Sequence, residues 1–238
     1  MLVLAKTGVN YNRIMESFEA ESYRLLEQLL ERSKFLCDRM DLFKRETDED
    51  SAYYGYVKNF VVTDGIICDE ILAAIHNDKI LISLVAARTL LEELINVSYL
   101  ISRGTREERY RVANDWIKRS NSPKRHKNML DKISVEDRAK AAGAHIKQIY
   151  DNEYAMMCDY VHGSAQRGLI NASDVHRDLA GKKAIYMSLL AYSNIVFAVS
   201  TLAQLPPDYN AELEVMVGDY LKKYDEPVAK MQIDIILT

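Results

Sequence analysis

The feature that most constrains the fold is an uncharged stretch from Ala184 to Pro207, AIYMSLLAYSNIVFAVSTLAQLPP. A segment of this length and composition either spans a bilayer or forms a helix that protein surrounds on all sides. The sequence holds one such segment, and six of its side chains are aliphatic hydroxyls or amides: Ser188, Ser193, Asn194, Ser200, Thr201 and Gln204. We therefore predict a central core helix and no membrane association.

The composition favours long helices throughout the chain. Nine glycines and four prolines among 238 residues are fewer than average usage gives. We predict an all-α fold, a single-domain helical bundle of about seven or eight helices. Its parts would be an N-terminal helix with a charged break (1–50), a core bundle (51–205), and a C-terminal helix with a tail (206–238).

Charge and cysteine content describe an ordinary intracellular protein. The net charge of −4 gives no general argument for nucleic acid or membrane binding. Cys37, Cys68 and Cys158 lack CxxC spacing, so neither a disulfide framework nor a zinc knuckle is predicted. The start, MLVLAKTGVNYNR, has too short an apolar run for a signal peptide, and a cytoplasmic location is predicted.

Apolar residues at intervals of three and four predict the individual helices. Thr105 with Glu108, and Ser134 with the acidic residues after it, have the spacing of helix N-termini. We expect helices at 10–44, 52–75, 79–102, 105–118, 134–162, 182–205 and 211–224, with Gly143 a weak point and Gly163 a C-terminal cap. Residues 119–127 and 168–181 are expected to be irregular, and the tail after Pro227 is either a short strand or irregular.

The third of these helices carries an arginine inside an apolar run. In LISLVAARTLLEELINVSYL, Arg88 shares a face with Val85, Glu92 and Ile95. A buried guanidinium without a partner would cost several kcal/mol. Glu92, one turn along, is the expected first partner, and a further acceptor is expected from another helix.

The stretch EYAMMCDYVHGSAQRG, 153–168, is the expected source of that acceptor. Tyr154, Cys158, Val161 and His162 share one helix face, and His162 occupies the last turn. We predict that Arg88, Glu92 and His162 form one polar cluster between two packed helices. Such a cluster is either a structural network that fixes helix register or an active site.

The combination of Arg88-Thr-Leu-Leu-Glu92 with the later CDYVHGS resembles an uncharacterised family of bacterial all-helical proteins. The resemblance covers about residues 52–205 and extends loosely to HEPN-type domains, which are common in toxin, RNA-cleaving and phage-defence systems. It implies a helical module that binds or cleaves RNA. In that case His162 would act as acid or base, Arg88 would stabilise the phosphate charge, and Glu92 would orient Arg88.

This chain departs from the HEPN ribonuclease pattern, in which an arginine precedes a histidine by four to six intervening residues. His162 has no arginine at that spacing. Arg119 with His126 and Arg138 with His145 each have six residues between them. Arg138 and His145 remain the alternative catalytic pair, because Pro123 interrupts the other.

A basic segment adjoins these motifs. From Arg103 to Lys140 there are twelve Lys and Arg and six Asp and Glu. The residues expected to contact RNA phosphate are Arg119, Lys124, Arg125 and Lys127. The alternative is a solvated surface loop.

Several other chemistries have no sequence support. The chain contains no Glu-x-x-His, HExxH, GxGxxG, Walker or GxSxG motif, so we expect no metal and no cofactor. The predicted function is a HEPN-like protein that binds or acts on RNA in a bacterial defence or toxin-type system. The alternative is a non-enzymatic interaction or scaffold module, and in either case we expect a homo-oligomer or a helical protein partner.

Overall fold

The fold is known from a computed structural model, which describes residues 16–42, 47–120, 133–162, 174–225 and 228. Over these residues the chain forms eight helices and no strand. The first four are α1 (Phe18–Asp41), α2 (Asp48–His76), α3 (Ile80–Ser102) and α4 (Arg106–Ser120). The predicted all-α bundle is confirmed.

The second half of the bundle begins with the short α5 (Val135–Ala142). Helix α6 comes next in three segments, Ala144–Ile149, a π-helical segment at Tyr150–Tyr154, and Ala155–Val161. Helix α7 spans Asp174–Leu202, and a 3₁₀ turn at Pro207–Asn210 leads into α8 (Ala211–Tyr224). The predicted limits of α3 and α8 agree with these to within one residue.

Helix α7 is the centre of the molecule and packs against α1, α2 and α3. It is apolar enough to span a membrane by composition, but 72% of its apolar window is buried against other helices. Its serines bond to carbonyls of their own helix, as Ser188 does to Ala184 at 2.6 Å and Ser200 to Val196 at 2.9 Å. These bonds satisfy the hydroxyls that the sequence places in an uncharged segment.

Two helix predictions fail at glycines. Residues 174–181 are not irregular as predicted, since α7 already begins at Asp174, and Gly181 lies inside it where a Cβ would meet Ile80 and Ile75 at 3.1 and 3.3 Å. The single helix predicted from 134 to 162 is also wrong. Gly143 has a φ of +121°, which ends α5 and redirects the chain into α6.

Some other predicted boundaries also change. Helix α4 continues to Ser120, so 119 and 120 are helical and not part of a loop. Helix α7 ends at Leu202, three residues early, because Gln204 adopts a φ of +53° and the Leu205 amide donates to the Ser200 carbonyl. The predicted cap at Gly163, the loop 121–127 and the tail after 228 lie outside the described residues.

Gly65 on α2 is required by close packing against α7. A Cβ at this position would lie 2.5 Å from the Tyr192 hydroxyl oxygen and 2.9 Å from a Leu30 methyl carbon. That hydroxyl is fixed by bonds to the Ser33 hydroxyl and the Val61 carbonyl, so it cannot simply move away.

Gly65→Ala is therefore expected to lower the free energy of unfolding by about 1–3 kcal/mol through overpacking. Gly55→Ala is the matched control, because it lies on the same helix with nothing within 4 Å of the added carbon. That control should gain up to about 1 kcal/mol from helix propensity. Urea unfolding measures both, and equal stability of the two variants would contradict the packing of α2 on α7.

Candidate functional site

Arg88 lies in the middle of α3 and reaches across to α6. Its Nε donates to the Cys158 thiol sulfur at 3.2 Å, and its Nη2 donates to the Tyr154 hydroxyl at 2.6 Å. The Tyr154 ring also lies under the guanidinium, with its centroid 5.0 Å from Cζ. We predicted that a second helix would supply a further acceptor for Arg88, and Tyr154 and Cys158 of α6 are these acceptors.

The π-helical segment of α6 ends at Tyr154. A π turn adds one residue to the helix and rotates the residues after it, so it sets the register of Tyr154 and Cys158 toward α3. Tyr150, at the start of this segment, stacks on Tyr154 with ring centroids 5.3 Å apart. The Tyr154 ring therefore contacts both Tyr150 and the Arg88 guanidinium.

Glu92 is the acidic centre of the cluster. Its Oε2 accepts a hydrogen bond from the Tyr154 hydroxyl at 3.2 Å and lies 3.9 Å from Arg88 Nη2. Its Oε1 lies 3.7 Å from Nη2 of Arg138 on α5, whose side chain is 11% exposed. A second guanidinium therefore joins the carboxylate from the opposite side.

The protonation states follow from this arrangement. Burial, together with the nearby Glu92 carboxylate, raises the pKa of Tyr154 to about 12, so its hydroxyl stays protonated and can donate. Burial opposes the charge on Arg88, but the bond to Cys158 and the nearby Tyr154, Cys158 and Glu92 raise its pKa overall. The cluster thus contains two fixed cations, Arg88 and Arg138, beside one carboxylate.

The cluster is open to solvent on one side. The side chains of Arg88 and Glu92 are 26% and 32% exposed. The described hydrogen bonds use two of the five guanidinium N–H groups of Arg88. Further donors are therefore available to a bound anion, which a sealed core network would not offer.

His162 lies at the C-terminal end of α6 and is exposed. Its amide donates to the Cys158 carbonyl at 2.9 Å, so its side chain starts one helical turn beyond Cys158 on the same face. Its ring makes no hydrogen bond or ion pair to Arg88 or Glu92 within the described part of the chain. The prediction that His162 joins Arg88 and Glu92 in one polar cluster is therefore wrong, because Tyr154 and Cys158 occupy that position against Arg88.

The alternative pair, Arg138 and His145, is separated by the turn at Gly143. Arg138 belongs to α5 and points to Glu92, whereas His145 is exposed on α6. The shared helix face that their spacing suggested is lost, because a residue with a φ of +121° stands between them. The structure brings Arg138 to the same carboxylate as Arg88, which the spacing did not indicate.

The basic segment is only partly described. Arg119 belongs to α4, and Lys124, Arg125 and Lys127 lie outside the described residues. Trp116, which precedes Arg119 on the same helix, is 6% exposed and lies close to Tyr56 and Tyr99. It belongs to the core side of α4 and is not a stacking platform.

A pair of carboxylates that was not predicted from the sequence lies between α2 and α3. Asp64 is 2% exposed, and its Oδ2 has no hydrogen-bond partner among the residues described. Burial and the nearby Glu93 raise the pKa of Asp64 to about 8, and burial also raises that of Glu93. The signal was present in the sequence, since Asp64 interrupts the apolar run of α2 much as Arg88 interrupts that of α3.

Within the residues the structure describes, no three His, Cys, Asp or Glu side chains are grouped as metal ligands. Comparison with protein-family models, curated protein sequences and solved structures gave no significant match to this chain. The function is therefore inferred from the cluster itself.

Proposed function

We propose that this chain is a HEPN-like protein that binds and cleaves RNA without a metal ion, as part of a bacterial defence or toxin-type system. The observation that carries the proposal is the arrangement at the α3–α6 contact. The partly exposed Arg88 guanidinium packs from α3 against the Tyr154 and Cys158 face of α6, and the exposed His162 follows Cys158 by one turn on that helix. A group that transfers a proton and a cation that stabilises phosphate charge are two of the groups that metal-free cleavage of a phosphodiester uses.

Each residue has a specific role in the proposed reaction. The ribose 2′-oxygen attacks phosphorus, the bond to the 5′-oxygen breaks, and the products are a 2′,3′-cyclic phosphate and a 5′-hydroxyl. His162 takes the proton from the 2′-hydroxyl while water protonates the departing 5′-oxygen, or water takes the first proton and His162 supplies the second. Arg88 donates to the phosphate oxygens as charge develops on them.

The other members of the cluster position Arg88. Tyr154 and Cys158 accept from Nη2 and Nε, which fixes the plane of the guanidinium. Glu92 holds both Tyr154 and Arg138, so it orients Arg88 partly through Tyr154.

The test is an incubation of the purified full chain with single-stranded RNA in the presence of a chelator. We expect products that end in a 2′,3′-cyclic phosphate, at a rate that the chelator does not change. Intact RNA after prolonged incubation, with protein shown by its melting transition to be folded, would overturn the proposal.

A second candidate is a non-enzymatic interaction module, and a specific observation favours it. Four apolar side chains on α2 and α3 are exposed by 42–63%: Val62, Ile66, Ile82 and Val85. Exposed apolar side chains on adjacent helices are typical of a protein contact surface. Under this alternative the cluster at Arg88 only ties α3 to α6, and the chain self-associates or binds a helical partner without cleaving RNA.

A further inference from the structure

A groove separate from the Arg88 cluster lies between α1 and the 3₁₀ turn and start of α8. Its volume is about 480 Å³, within the range of small-ligand sites. One wall is a single face of α1 that carries Arg24, Gln28, Arg32 and Phe35. The other wall includes Tyr209, and the floor is formed by Leu213 and Met216.

The charged side chains of this groove take no part in the described hydrogen bonds and ion pairs of the fold. Arg24 and Arg32 make no hydrogen bond or ion pair within the part of the chain that the structure describes. The same holds for Glu31 and Glu212, which share the groove. By contrast, Glu21 on the same helix is paired with Lys223 at 2.6 Å.

An aromatic platform lies beside the guanidinium of Arg32. The Arg32 Cζ atom lies 4.3 Å from the centroid of the Tyr209 ring, and the Phe35 ring lies 5.1 Å from that same centroid. Phe35 is 44% exposed, so one side of its ring is open to solvent. An exposed ring beside a guanidinium is the pairing that proteins use to stack a nucleobase and bind its phosphate.

We propose that this groove binds a nucleotide, with the base stacked on Phe35 and the phosphate bound by Arg32. The two arginines and two glutamates cancel in net charge, so binding rests on the direct contacts with Arg32 and Phe35 and not on a positive field. The carboxylates can accept from base amino groups or ribose hydroxyls. The proposal does not depend on RNA cleavage at His162.

The spacing along α1 distinguishes a free nucleotide from a nucleotide within an RNA chain. Phe35 lies three residues beyond Arg32, or about 4.5 Å along the helix axis, whereas Arg24 lies eight residues before it, or about 12 Å. Arg24 thus starts about two helical turns from Arg32, which fits a second phosphate better than the one that Arg32 binds. It would bind the next phosphate of a chain.

The experiment is calorimetric titration of the full chain with AMP and with the trinucleotide ApApA. Phe35→Leu and Arg32→Gln should each weaken AMP binding by roughly 10-fold or more, from loss of stacking and of the phosphate contact. Arg39→Gln, an exposed arginine of α1 outside the groove, is the matched control and should leave both affinities unchanged. The substituted side chains lie at the surface, and melting curves confirm that each variant is folded.

The outcomes separate the two sources of the nucleotide. Tighter binding of ApApA than of AMP, with Arg24→Gln weakening ApApA alone, supports an RNA segment as the ligand. Binding of AMP without tighter binding of ApApA supports a free nucleotide. Failure of both probes to bind in the millimolar range, or binding that survives Phe35→Leu and Arg32→Gln, overturns the proposal whether or not the chain cleaves RNA.

Discussion

Replacing His162 with alanine is expected to reduce the rate of RNA cleavage by about 100-fold or more, the usual contribution of a general acid or base. The melting temperature should stay the same, because the ring is exposed and forms no described hydrogen bond that the fold would lose. The measurement is the initial rate of formation of 2′,3′-cyclic phosphate ends with a chelator present.

His145→Ala is the matched control, since His145 is also an exposed histidine of α6. It should cleave at the wild-type rate if the acting arginine is Arg88. A large loss of activity in His145→Ala, with His162→Ala unaffected, would instead make Arg138 and His145 the catalytic pair. If both variants cleave RNA at the wild-type rate, neither histidine takes part in the mechanism.

Replacing Asp64 with asparagine is expected to change how stability depends on pH. Burial raises the pKa of Asp64 in the folded protein to about 8, against an ordinary value of 3.8. The stability that this group contributes is therefore fully present below pH 3.8 and is lost as the pH rises to about 8. Asparagine does not titrate. The free energy of unfolding of wild type, relative to Asp64→Asn, should therefore fall by about 1.4 kcal/mol per pH unit, or about 4 kcal/mol from pH 5 to pH 8.

Urea unfolding at a series of pH values between these limits measures this slope. Asp69→Asn is the control, because Asp69 is an exposed carboxylate of the same helix and its replacement should preserve the wild-type slope. Parallel pH profiles for wild type and Asp64→Asn would show that Asp64 is ionised in the folded protein, and would contradict its burial without a partner.

The sequence allowed the helices to be predicted where local signals agree with packing. Helix α3 has a continuous apolar face, and α8 has a clear amphipathic pattern between Pro207 and Tyr224, so their limits were predictable. Gly143 and Gly181 were harder, because a glycine either ends a helix or allows close packing within one. Gly143 ends a helix because its φ is positive. Gly181 stays within a helix because it packs closely against Ile75 and Ile80.

The sequence was enough to predict which helices meet at the candidate site, but not which atoms make contact there. A charged Arg88 on an apolar stripe required partners, and Glu92 and the Tyr154 face of α6 followed from helical spacing. The approach of Arg138 to Glu92 could not be inferred, because it depends on how the chain turns at Gly143, and the π-helical segment was not expected either. Neither has a local sequence signature.

The proposed RNA site depends on the Arg88 guanidinium joining α3 to α6 through the Tyr154 hydroxyl. A double-mutant cycle with Arg88→Met and Tyr154→Phe, measured by urea unfolding, tests this contact most directly. We predict a coupling free energy of about 1 kcal/mol or more, as expected for a partly exposed hydrogen bond to a charged group. Additive effects of the two substitutions, to within about 0.3 kcal/mol, would contradict the contact and with it the proposed site.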